Sequence, residues 1–115
     1  MGGIKTEDKN ERKKQKVVKL ADLSNYEEGA LTSKSVEDTN AVSIVVYAFN
    51  KFHGILEDTL PYDALFVVLE GEAEVNVSGN PYMVRAGEMI KFDANKPHSV
   101  SPNSKFKMML ISLKK

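Results

Sequence analysis

The chain has 115 residues, which is enough for one ordinary domain and too few for two. Hydrophobic residues make up 42% of it and charged residues 28%, and its 16 basic and 16 acidic residues give a formal net charge of zero. A neutral chain gives no electrostatic reason to expect a nucleic-acid partner, and the lack of cysteine excludes disulfides, thiolate zinc sites and cysteine nucleophiles.

The first 16 residues, MGGIKTEDKNERKKQK, are polar and lack a hydrophobic period. They predict a flexible N-terminal segment over 1–16, followed by one folded domain over 17–115. The basic stretch ERKKQKVVK is interpreted as solvated, and contact with nucleic acid or an anionic surface is the less favoured alternative. No secretory signal and no apolar run of about 18 residues is present, so we expect a cytoplasmic protein without a membrane partner.

From Val17 onward the sequence is typical of short strands separated by turns. The predicted strands are Lys16–Leu20, Ala30–Ser35, Ala41–Phe49, Leu65–Leu69, Ala73–Val77, Tyr82–Arg85, Met89–Phe92 and Phe106–Leu113. The segment Ser78-Gly79-Asn80-Pro81 predicts a tight hairpin turn. Short strands at regular spacing, without a convincing helix, predict an all-β sandwich or barrel.

The stretch LPYDALFVVLEGEAEVNVSGNPYMVRAGEMIKFDANKPHSV resembles the conserved barrel of the cupin superfamily. The matching features are VLEGEAEV, the glycine-containing hairpin, AGEMI and a loop that ends in Pro97-His98. The resemblance implies an all-β, double-stranded β-helix (jelly-roll) barrel, and also a homodimer. Small cupins pair sheets or exchange N-terminal strands, and Val17 to Ser35 is the segment that we expect to do so.

Cupins that bind metal hold it with three imidazoles and a carboxylate, and the resemblance locates these four positions. Aligned on L-E-G, the first three fall on Asp58, Leu60 and Ala64, and the fourth falls on His98. Leu60 and Ala64 have no lone pair to donate, so we expect no cofactor. A divalent Fe, Mn, Ni or Zn ion held by His98 and Asp58 is the alternative. His53 is either a further ligand or, as we favour, a loop histidine.

Aromatic residues and methionines of the strands are expected to line the barrel: Tyr47, Phe49, Phe66, Met83, Met89, Phe92, Met108 and Met109. Such a barrel has room for a small ligand. The candidate ligand-binding residues are His98, Asp58, Tyr62, Phe66 and Met89. If Asp58 faces His98 inside the barrel, their attraction is expected to raise the histidine pKa and lower the aspartate pKa.

Three functions are compatible with these residues. We favour a cupin that binds a small organic ligand without metal-dependent redox activity. The first alternative is an isomerase-like, epimerase-like or dioxygenase-like enzyme with a reduced site built on His98 and Asp58, in which His98 is the candidate catalytic residue. The second alternative is a sensor or interaction module, because fold alone does not decide function.

Overall fold

A computed structural model describes residues 15–29, 31–50, 56–102 and 104–114. His53 and residues 1–14 of the predicted N-terminal segment lie outside the described residues. Within the described ranges, a 3₁₀ turn at Leu20–Asp22 precedes nine strands. These are β1 (Leu31–Asp38), β2 (Val42–Phe49), β3 (Leu56–Asp58), β4 (Asp63–Glu70), β5 (Glu72–Val77), β6 (Asn80–Arg85), β7 (Met89–Phe92), β8 (His98–Pro102) and β9 (Phe106–Leu113).

Most of the chain is one long antiparallel ribbon folded back on itself. β5 pairs with β6, β4 with β7, β3 with β8, and β2 with β9. The ribbon turns at Ser78 and Gly79, whose φ angles of 51° and 88° suit the type I′ turns favoured in two-residue hairpins. Because the paired strands follow one another outward from this turn, each residue of the ribbon pairs with a residue that lies about equally far from the turn in sequence.

The ribbon winds into two facing sheets. One has five strands in the order β1-β2-β9-β4-β7, and the other has four in the order β3-β8-β5-β6. Successive strands from β2 to β5 alternate between the sheets, and so do those from β6 to β9. This winding is the double-stranded β-helix, and it confirms the predicted all-β jelly-roll fold.

Aromatic side chains fill the space between the sheets. The largest fully buried residues are Phe49, Phe66, Phe92, Phe106, Val46, Val68 and Val75. The rings of Phe49 and Phe106 stack with centroids 4.4 Å apart, and those of Phe66 and Phe92 lie 5.6 Å apart. The barrel interior is therefore largely a packed core, and open space remains only where this packing ends.

Three of the expected lining residues were assigned to the wrong face. Side chains alternate across a strand, so Met109 faces away from the sheet surface that carries the buried Met108. Met83 alternates in the same way with the buried Val84. Met89 is 51% exposed on the side opposite the core. Methionines occur on both faces of these strands, and residue type alone does not show which of them face inward, so the sequence interpretation failed here.

The predicted strand Lys16–Leu20 was also wrong. Residues 15–19 are irregular and exposed, and the 3₁₀ turn begins at Leu20. Conversely, β3 was missed because its residues Leu-Glu-Asp have no strand-like alternation of their own. Tertiary pairing with β8 makes it a strand.

Residues 20–26, which we call the N-terminal strap, lie against the outer face of the five-stranded sheet. The ammonium group of Lys107 donates a hydrogen bond to the carbonyl of Ala21. The same ammonium lies 4.9 Å from the ring centroid of Tyr26. The Tyr26 hydroxyl in turn donates to Glu70 at 2.5 Å. Lys107 is 6% exposed, so the strap covers this part of the sheet.

Candidate functional site

A cavity of about 280 Å³ opens where β1 and β2 of one sheet approach β3 and β8 of the other. Its lining consists of Leu31, Tyr47, Phe49, Glu57, Asp58, Phe66, Phe92, His98, Val100, Met108 and Leu110. The phenylalanines form a buried floor, whereas Leu31, Tyr47, Asp58 and Leu110 are at least partly accessible. The cavity therefore opens beside Tyr47 and Asp58 and ends at the aromatic core.

The ribbon register brings Asp58 and His98 together. Asp58 is the last residue of β3, His98 is the first residue of β8, and the two are direct cross-strand partners. Directly opposed residues have their Cβ atoms about 4.5–5.5 Å apart on the same face of the sheet. The two candidate residues from opposite ends of the motif thus meet at the cavity.

His98 is held firmly in place. It is 9% exposed, and its ring stacks on that of Phe92 with centroids 4.0 Å apart and planes tilted by 15°. Its Nδ1 atom is buried and has no hydrogen-bond partner among the described residues. Leaving a buried polar atom unpaired costs about 1–3 kcal/mol, so the packing that fixes this ring has an energetic cost.

Burial shifts the pKa values of His98 and Tyr47, the two titratable residues that are influenced by Asp58. It lowers the pKa of His98 below its usual range, and the backbone of Lys96 and the negative charge of Asp58 oppose this shift. Asp58 does act to raise the His98 pKa, as expected. The net shift is nevertheless downward, contrary to the expectation, because desolvation of the imidazole has the larger effect. Burial, with a smaller effect of Asp58, raises the pKa of Tyr47. At neutral pH both groups are thus uncharged.

The structure places the other candidate residues in different surroundings. Phe66 is fully buried in the cavity floor. Tyr62 is half-buried in the turn before β4, and it is not one of the described lining residues of the cavity. Met89 lies on the outside of the five-stranded sheet, away from the cavity.

Tyr47 was expected in the lining, but its proximity to Asp58 was missed. The alternation of AVSIVVYAF puts Tyr47 on the same face as Phe49, and this signal was visible in the sequence. Its relation to Asp58 depends on how the two sheets face each other. No local pattern carries that information.

A shallow groove of about 610 Å³ continues from the cavity mouth. It is lined by Glu57, Asp58, Thr59, Asn76, Gly79, Pro97, His98 and Ser99. Ser99 pairs across the sheet with both Glu57 and Asn76, so these three polar residues form one row on the outer side. Glu57, Asp58 and His98 line both spaces and mark their junction.

The donor set does not fit a cupin metal centre. Of the four ligand positions, Ala64 is fully buried and Leu60 packs against the core. Phe92, the cross-strand partner of Ala64, covers one face of the His98 imidazole. Among the described residues no group of three or more His, Asp or Glu side chains is placed to hold a metal ion. One imidazole and one carboxylate fall short of the usual coordination.

Comparison with known proteins agrees with this fold. The cupin domain family model matches residues 58–114. A cupin 2 conserved barrel domain protein from Leptotrichia buccalis is 35% identical, with a TM-score of 0.76, over 82% of this chain and 46% of that protein. The chain thus spans less than half of the Leptotrichia protein.

Two further solved structures resemble the chain over nearly their whole lengths. A cupin superfamily protein from Desulfitobacterium hafniense is 22% identical over 89% of this chain and 94% of that one, with a TM-score of 0.81. A conserved protein of unknown function from Streptococcus pyogenes is 25% identical over 92% and 93%, also with a TM-score of 0.81. The chain therefore carries a small cupin-superfamily domain.

None of the curated proteins compared with the chain matches it. In the described part of the chain, no helix has the length and apolar character needed to cross a membrane.

Proposed function

We propose that this cupin domain binds a small organic ligand in the cavity beside His98, without a redox-active metal. The observation that carries the proposal is an open cavity lined by apolar side chains, with the cross-strand pair Asp58 and His98 as polar residues in its wall. A ligand hydroxyl, amine or amide beside this pair can hydrogen-bond to the carboxylate or the imidazole, while its apolar part rests on Tyr47 and Leu110.

The size of the cavity limits the ligand. Its volume of about 280 Å³ lies just under the roughly 300–1,000 Å³ of sites for drug-sized molecules. The largely apolar walls favour a compact molecule with one polar end. The stacked Phe92 ring fixes the imidazole, so little order has to be gained when such a ligand binds.

Two measurements on the full chain test this function. Protein purified without chelator is denatured and extracted for mass spectrometry and metal analysis, and a small-molecule library is screened by thermal shift. We expect a bound or stabilising organic molecule and much less than one metal ion per chain. One equivalent of Fe, Mn, Ni or Zn per chain, or no stabilising compound at all, overturns the proposal.

Two variants connect the binding to the site. His98→Phe retains a ring that stacks on Phe92 and removes the imidazole nitrogens, so it should abolish the ligand-induced shift. Tyr62→Phe is the matched control, because Tyr62 lies outside the described cavity lining. Equal shifts in the wild type and His98→Phe would place the ligand elsewhere.

An enzyme with a reduced site is the second candidate. The opposition of Asp58 and His98 in the register favours it, because an uncharged imidazole beside a carboxylate can accept a proton. The bound ligand, incubated with the protein in D₂O, should then gain deuterium at carbon or change its connectivity, as seen by NMR. An unchanged ligand leaves the binding function alone in place.

We also propose a homodimer that forms through the outside of the five-stranded sheet. This outer apolar face consists of Ile44, Leu65, Val67, Met89, Met109, Ile111 and Leu113. Met89 and Leu113 are 51% and 39% exposed beside half-buried apolar neighbours, and a contiguous apolar patch of this kind is typical of protein–protein contact sites. The cytoplasmic location and the sensor role stay predictions.

A further inference from the structure

The charges around the cavity restrict the ligand class. Among the described residues that line the cavity and the groove, the charged side chains are Glu57 and Asp58, and both are acidic. No described lining residue is a lysine or an arginine. A carboxylate or phosphate ligand would lie beside the negative charge of Asp58, which repels it. No lysine or arginine among the described lining residues would compensate for this repulsion.

The polar atoms at the junction suit a hydrogen-bond donor. Asp58 accepts one hydrogen bond from the amide of Thr59, at 2.8 Å, and its carboxylate has further lone pairs to offer. The His98 imidazole lines the same junction and is nine-tenths buried. An ammonium group has only donors, so it can pair with the Asp58 carboxylate and lie beside an uncharged imidazole without charge repulsion.

The wall beside this junction suits a cation as well. Tyr47 lines the cavity and is half-buried, and its ring lies 6.3 Å from that of Phe49. The face of a tyrosine ring attracts an organic cation, and its hydroxyl can accept a further hydrogen bond. Leu110 and Met108 extend the apolar surface toward the core.

We propose that the ligand is an organic cation, a small apolar amine whose ammonium group lies between Asp58 and His98. This rests on the proposed ligand-binding function and names its ligand class. The apolar substituent lies on Tyr47 and Leu110 inside the cavity. A longer polar extension would follow the row of Glu57, Ser99 and Asn76 along the groove.

Three probes of similar shape test the charge requirement: phenethylamine, phenethyl alcohol and phenylacetate. Isothermal titration calorimetry on the full chain at neutral pH should show the amine binding at least about fivefold more tightly than the alcohol. The carboxylate should bind more weakly than either. Asp58→Asn should remove most of the preference for the amine and leave the affinity for the alcohol within about twofold.

A charge-matched control is Asp22→Asn, which makes the same change in net charge on the remote 3₁₀ turn and should leave all three affinities unchanged. The cation proposal is overturned if the alcohol or the carboxylate binds as tightly as the amine, if Asp58→Asn weakens amine and alcohol alike, or if the amine does not bind. Binding of the alcohol or carboxylate alone would leave the ligand-binding function intact. If none of the three binds, ligand extraction and library screening decide that function separately.

Discussion

Gly71 shows how one residue of the VLEGEAEV motif determines the path of the chain. It is the single residue between β4 and β5, where the chain leaves one sheet for the other. Its φ angle is +80°, a left-handed value that residues with a Cβ adopt at a cost. A Cβ at this position would lie 2.6 Å from the carbonyl oxygen of Lys105 and 2.8 Å from the Cβ of Phe106. Both features require glycine.

Gly71→Ala should therefore destabilise the domain by about 3–5 kcal/mol, the combined effect of backbone strain and overpacking against β9. Gly87→Ala is the control, because Gly87 has a φ of +87° and no heavy atom within 4 Å of a built Cβ. It should cost only about 1–2 kcal/mol. Urea unfolding measures both. Similar decreases in the free energy of unfolding for the two variants would show that the close contact with Lys105 and Phe106 does not contribute to the destabilisation.

The titration of His98 predicts a pH dependence of stability. Because burial lowers its pKa in the folded state, the unfolded chain binds a proton more readily, starting near the usual pKa of about 6.5. The stability linked to His98 is therefore complete above about pH 6.5 and is lost as the pH falls toward the lower pKa of the folded state. The free energy of unfolding, measured from about pH 7.5 to pH 5, should decrease across this range.

His98→Phe cannot take up this proton, so its free energy of unfolding should change less over the same pH range. His53→Phe, which removes the other imidazole of the chain, should keep the slope of the wild type. If the slope disappears with His53 and persists without His98, the assignment to the buried imidazole is wrong.

At the residue scale the sequence named three residues of the candidate cavity, Asp58, His98 and Phe66, but not its electrostatics. Asp58 and His98 were found through the family motif, and Leu60 and Ala64 already argued against metal ligands. The sign of the His98 shift depends on how deeply its ring is buried under Phe92, which is a result of packing. The same holds for the effect of Asp58 on Tyr47, since these residues meet across two sheets.

At the element scale the hairpin turn contained more information than the sequence interpretation used. Asp58 lies 20 residues before Ser78, the first turn residue, and His98 lies 19 residues after Gly79, the second. In a ribbon that continues outward from this turn, positions at nearly equal distances become partners, and Asp58 does pair with His98, one residue from the partner that an unbroken register would give. Counting from the turn would have predicted β3, which is too short and too polar for propensity to detect.

The strap shows the opposite case, in which tertiary contacts organise a segment that lacks strand signals. Lys107 of β9 is nearly buried and donates to the carbonyl of Ala21, and Tyr26 lies against the same ammonium. A buried lysine needs such partners, because desolvation of an unpaired ammonium is costly. The basic side chain and the strap thus stabilise each other, and the sequence alone shows neither contact.

Lys107→Met keeps a long side chain against the sheet and removes the ammonium, so we expect the strap to open while the barrel stays folded. Hydrogen exchange followed by mass spectrometry should show the strap amides, including those of Asp22 and Leu23, exchanging about tenfold faster or more. Lys96→Met, in an exposed loop, should leave this exchange unchanged. Unaltered exchange in Lys107→Met would mean that the strap is held by other contacts.

At the scale of the whole molecule, the two sheets differ in what their outer sides offer to a partner. Across the five-stranded sheet, Met89 pairs with Val67, Val67 with Met109, and Met109 with Val46, so apolar residues follow one another in a continuous row. The four-stranded sheet instead carries the polar row of Glu57, Ser99 and Asn76 outside. Association through the five-stranded sheet would leave the cavity mouth and the groove open to ligand.

Met89→Glu places a charge in the proposed interface without touching the core, because Met89 is about half exposed in the single chain. Sedimentation velocity should show a wild-type dimer at micromolar concentration and a dissociation constant at least about tenfold higher for the variant, since a buried unpaired carboxylate costs more than about 1.4 kcal/mol. Met83→Glu makes the same change on the outside of the other sheet, where Met83 is 40% exposed, and should leave the dimer intact. A wild-type monomer, or equal weakening of the dimer by both variants, would exclude the five-stranded sheet as the interface. A selective effect of Met89→Glu would assign the five-stranded sheet to assembly and leave the cavity mouth and the groove to the ligand.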